Sequence, residues 1–77
     1  MSYSMENLAE INLLIRYKSS ASLEGIKIHK TADPAIIAAA QRLFDAGFIT
    51  QIDGGYLTPL GAEAEEHAQS LLMMLNA

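Results

Sequence analysis

Between Ser4 and Tyr17 the apolar residues Leu8, Ile11, Leu14 and Ile15 fall on one face at about 100° per residue, which predicts a first helix. Ser4 stands where an N-cap belongs. Leu13 points the other way, beside Ala9, so this helix carries a second, smaller apolar face. The stretch KSSASLEG (18–25) is polar. It reads as a connector in which Ser20 or Ser22 caps one turn, or as a short helix over 19–25. In GIKIHK, Ile26 and Ile28 alternate with Lys27 and His29, the pattern of a brief half-buried strand over 26–29. A second helix opens with Asp33 as N-cap and Pro34 at the first helical position, where a missing N–H is harmless. Its stripe is Ile36, Ala40, Leu43 and Phe44, and Gly47 ends it as a left-handed cap. FITQI, DGG and YLT then predict a β-hairpin over 48–58, turning on Asp53-Gly54 or on Gly54-Gly55. A third helix starts at Thr58 and Pro59 with the stripe Leu60, Ala64, Ala68, Leu71 and Leu75. Glu63, Glu65 and Glu66 lie in its first two turns, read as a solvated face at the end that the helix dipole favours.

The order of elements predicts one α+β, mostly helical domain over residues 1–77. It has three main helices, a hairpin between the second and third, and a short third strand at 26–29. The segment RLFDAGFITQIDGGYLTPLG (42–61) resembles the winged-helix superfamily, in which a helix runs into a Gly-hydrophobic-Ile step, a turn makes the wing, and an LT..G stretch opens the next helix. The whole chain also resembles a small group of bacterial proteins of unknown function. The likeness is carried by GIKIH, ADPAIIAAAQRLFDAG, DGGYLT and EHAQ. Labels in that group range from transcriptional regulator and DNA-binding protein to DNA-binding-inhibitor-related protein. The resemblance implies a winged-helix-like fold and a regulatory setting, and it assigns no functional residue.

Size and composition add a constraint. A chain of 77 residues buries only about 60% of its unfolded surface. It has no cysteine to staple the core, and 51% of it is hydrophobic. A partner subunit would supply the missing burial. The longest apolar runs, AIIAAA (35–40) and LLMML (71–75), are far short of the roughly 20 residues that cross a bilayer. Glu6 and Glu10 occupy the stretch where a signal peptide would be basic and then apolar. The expectation is therefore a cytoplasmic protein with no membrane association.

Net charge is −4 and uneven. Residues 16–30 hold Arg16, Lys18, Lys27 and Lys30 against Glu24, a net +3, while the remainder holds Arg42 against eight acids, a net −7. In a winged-helix reading the 34–46 helix would enter the major groove and the 48–58 hairpin would be the wing. The outward side chains of that helix are mostly alanines, and the wing offers Gln51, Asp53 and Tyr56 in place of cations. The residues available to grip nucleic acid are Lys27, His29, Lys30, Gln41 and Arg42, a small set for an affinity that scales with phosphates neutralised.

An enzyme is less well supported. Nothing pairs a serine or lysine nucleophile with a base. Glu63 and His67 are helix neighbours that could share a metal, but structural zinc usually takes four ligands. Gly54 and Gly55 fit a turn and lack the spacing of a nucleotide loop. Interaction surface is the stronger signal. The third helix ends SLLMMLNA, with Leu72, Met73 and Met74 around its stripe, and Leu13 stands off the stripe of the first helix. These four residues are the expected contacts of a homodimer. The sequence reading is thus a non-enzymatic, cofactor-free, metal-free regulatory binding domain that is dimeric, transcription-related and acts mainly through contacts with an unspecified protein partner. The alternative is a DNA-binding transcriptional regulator, with a small metal-dependent enzyme as a remote third.

Overall fold

The computed structural model describes residues 4–17 and 25–77. Among these residues three helices, α1 (Met5–Leu14), α2 (Pro34–Asp45) and α3 (Pro59–Leu75), pack together, and α2 and α3 also touch a small antiparallel sheet of β1 (Ile26–Lys27), β2 (Ile49–Gln51) and β3 (Gly54–Leu57) in the order β1-β3-β2. The fold is α+β and mostly helical, with the β2–β3 hairpin between α2 and α3. No helix among the described residues is long and apolar enough to cross a membrane. The connector and the alternative short helix at 19–25 lie, except for Gly25, outside the described residues.

Local chemistry sets the boundaries. The Ser4 hydroxyl accepts from Asn7 N–H at 3.0 Å while the Asn7 side chain accepts from Ser4 N–H at 3.1 Å, a reciprocal cap on α1. Asp33 accepts from Ala35 N–H at 2.8 Å at the head of α2. At its tail Gly47 has φ +86°, and the N–H groups of Gly47 and Phe48 reach back to the carbonyls of Phe44 and Leu43. This is the two-bond pattern of a Schellman cap. Thr58 joins hairpin to helix: its Oγ1 accepts from Gly61 N–H and donates to the Gly47 carbonyl at 2.6 Å.

The hairpin loop is Ile52–Asp53, earlier than either turn expected. Ile49 stands opposite Leu57 and Gln51 opposite Gly54, so Gly55 and Tyr56 together face Thr50. That extra residue is a β-bulge. Gly55 adopts the left-handed conformation there at φ +70°, and Gly54 sits at φ +120°. The bulge displaces Tyr56 N–H from the ladder, and the Thr50 hydroxyl accepts it at 3.0 Å. Positive φ is thus needed at the two glycines following the loop.

The core is formed by Leu13, Leu14, Tyr17, Ile28, Ala39, Ala40, Leu43 and Ile49. Leu13 was expected to face away and serve a dimer; it is instead fully buried at 2% exposure. The small side chains Ala9, Ala39 and Ala40 let α1 and α2 approach closely, so the minor face of α1 is buried together with Leu14 of the expected stripe. Leu8, from the expected stripe, is left partly exposed. Helix α3 is turned in the same way. Gly61 lies against the Phe48 carbonyl so closely that a Cβ there would collide with it. That contact puts Gly61 and Glu65 inward beside Ala64, which the expected stripe had placed there, while Leu60, Leu71 and Leu75 from the same stripe are exposed.

Candidate functional site

Two surfaces gather the residues that sequence reasoning singled out. The first is a cleft of about 630 Å³ between the end of β1, the outer side of α2 and the hairpin tip. Lys27, His29, Lys30 and Gln41, four of the five nucleic-acid candidates, line it together with Ile28, Ile37, Ile52 and Asp53. Its geometry follows from the hairpin loop. Ile28 N–H donates to the Asp53 carbonyl at 2.8 Å, and Lys27 Nζ pairs with Asp53 Oδ2 at 2.5 Å. The hydrogen bond from Lys27 holds the Asp53 carboxyl below its usual pKa. Both contacts tie the hairpin tip to β1. Lys30 and His29 are exposed and have no ion-pair partner among the described residues. The Gln41 amide nitrogen donates to Asp45 at 3.0 Å.

The fifth candidate, Arg42, stands apart. Its Nε lies 2.6 Å from Glu10 Oε2, and a second nitrogen lies 3.9 Å from Glu6 Oε2, which fastens α2 to α1. A guanidinium committed to two carboxylates adds little to a phosphate-gripping patch. Sequence reasoning missed Ile37 and Ile52, both large, aliphatic and 39% and 52% exposed. The signal was available in Ile37, which falls outside the α2 stripe.

The second surface is the end of α3. Leu71, Met73, Met74 and Leu75 are 53%, 72%, 75% and 70% exposed. Leu72 is half-buried. Between α3 and α1 an apolar groove of about 370 Å³ runs past Leu8, Ile11, Ala68, Leu71, Leu72 and Leu75. Of the four dimer candidates, Met73 and Met74 are free at the surface, Leu72 lines this groove, and Leu13 belongs to the core.

The remaining polar candidates separate. Glu63 and His67 are exposed and 3.9 Å apart, too far for a hydrogen bond. No group of three metal-ligating side chains occurs among the described residues. Glu65, expected on the solvated face, is only 1% exposed, and its Oε2 has no hydrogen-bond partner among the described residues. It follows Gly61 by one helical repeat and is carried inward with it.

Residues 1–76 match a family described as a family of unknown function, DUF5669. The chain belongs to that family. No curated protein and no solved structure matches it.

Proposed function

We propose that this DUF5669 protein is a non-enzymatic regulatory binding domain that pairs with a second copy of itself and acts through protein contacts. One observation supports the reading: the end of α3 exposes four large apolar side chains, Leu71, Met73, Met74 and Leu75, with no charged residue after Glu66. Contiguous exposed apolar surface of this kind usually marks an interface. In a two-fold pair each contact counts twice, and burying one such side chain contributes roughly 1.5–3 kcal/mol. The transcription-related setting rests on the winged-helix-like order of elements, an analogy at the level of fold. Sedimentation at micromolar concentration tests the pairing. A species of twice the chain mass is expected, reduced to single chains by Met73→Glu with the helical circular dichroism signal retained. A monomeric wild-type chain at that concentration removes the proposal.

A second reading, direct DNA binding through α2 and the hairpin, is favoured by the convergence of Lys27, His29, Lys30 and Gln41. Three observations weigh against it. Lys27 is paired with Asp53, and Arg42 is committed to α1. Residues 28–33, directly before α2, are not helical, whereas a helix-turn-helix places a first helix there. Binding to random duplex DNA at physiological salt is therefore expected to be weak. Tight, steeply salt-dependent binding lost in Lys27→Ala/Lys30→Ala would reverse the order of the two readings.

A further inference from the structure

We infer that the cleft between β1, α2 and the hairpin tip is a binding site for a small amphipathic anion, an apolar body bearing one carboxylate. Its volume of about 630 Å³ falls in the range of about 300–1,000 Å³ typical of small-molecule sites. The walls are aliphatic: Ile28 lies buried at one side, while Ile37 and Ile52 keep much of their surface uncovered in a chain whose core is small. The charge around the cleft is opposite to that of the chain. Among the described lining residues Lys27 and Lys30 stand against Asp53, a net +1, in a protein of net −4. Lys27 and Asp53 neutralise each other, which leaves the Lys30 ammonium as the charge that no described residue matches. His29 beside it adds a second N–H donor. Gln41 is held by Asp45, so the polar group on the α2 side is already oriented.

These features select a ligand class. A nucleic-acid backbone needs a row of cations along an open surface, whereas here one unmatched cation stands over an apolar hollow. A neutral hydrocarbon would leave Lys30 and His29 unused. A monoanion with an apolar tail uses both, with its carboxylate at Lys30 and His29 and its tail against Ile37 and Ile52. The Lys27–Asp53 pair keeps the hairpin tip in place before any ligand arrives, so little ordering cost falls on binding. The site lies on different residues from the α3 end, and the inference is independent of pairing between copies.

Decanoate is the probe, followed through backbone amide shifts of the labelled full-length chain. Saturable shifts are expected at Lys27, Lys30, Ile37, Gln41 and Ile52. Lys30→Glu should weaken binding at least tenfold, and Lys30→Arg should retain it. Ile37→Glu, at an exposed helix position, should abolish binding while the rest of the spectrum stays in place. Decyltrimethylammonium, with the same chain and the opposite charge, should fail to saturate these amides. Equal binding of both amphiphiles would overturn the anionic assignment. Decanoate shifts confined to the α1–α3 groove, or cleft shifts produced only by duplex DNA, would overturn the site itself.

Discussion

Tyr17 ends the first helical region with its hydroxyl buried and without a hydrogen-bond partner among the described residues. Burial lifts its phenol from 10.0 to about 12, with Arg16 opposing the shift and Asp53 adding to it. Below pH 10 the phenol is neutral in both folded and unfolded chains, and titration costs no stability. Between pH 10 and about 12 the unfolded chain ionises first, so stability falls as pH rises through that window. Tyr17→Phe should flatten this alkaline decline in denaturant midpoints. It should cost little at neutral pH, since it removes a buried hydroxyl that bonds to nothing described. Glu65 also buries a polar atom, Oε2, that has no hydrogen-bond partner among the described residues, and an unmade hydrogen bond at a buried polar group costs stability. Glu65→Met should be neutral or stabilising, by up to about 1–3 kcal/mol. A clear drop in thermal midpoint would instead mean that the carboxylate is bonded in the folded chain.

At the scale of elements, what was legible in the sequence was what local chemistry decides. Ser4, Asp33 with Pro34, Gly47, and Thr58 with Pro59 each set a boundary through hydrogen bonds spanning a few residues, and each helix starts where its cap predicts. The inward face of a helix was harder to read where two faces are similarly apolar. In α1, Leu13 of the minor face and Leu14 of the expected stripe are both buried, and the small Ala39 and Ala40 of α2 make room for the former. In α3 the decision belongs to Gly61, whose small size seats the helix against the Phe48 carbonyl. The cleft was half legible: its cations stood out by charge, but the turn at Ile52–Asp53 that closes it depends on a bulge that pairing with β1 helps to fix. These glycines yield a test. Gly55→Val combines a left-handed backbone with a contact of 2.5 Å to Thr50 Oγ1 and should cost about 1–2 kcal/mol or more. Gly61→Ala should cost about 1–3 kcal/mol despite the higher helix propensity of alanine. Chemical denaturation of both variants checks the figures, and an unchanged Gly61→Ala would mean that α3 is not seated as described.

For the molecule as a whole, the question is where a small domain finds its stability. Among the described residues eight form the buried hydrophobic cluster, and none of them comes from the apolar end of α3. If that end is covered by a second chain, folding and association are linked, and the thermal midpoint rises with protein concentration. A monomer has a midpoint independent of concentration. Met73→Glu should remove the concentration dependence and lower the midpoint only at high concentration, because its side chain is free of the core. Leu71→Glu should behave in the same way, since Leu71 is half exposed and lies outside the buried cluster. Leu43→Glu, at a fully buried position in α2, should abolish folding at every concentration. The three variants separate the interface from the core. A wild-type midpoint that does not move across a hundredfold range of concentration would show the α3 end to be unpartnered by its own kind.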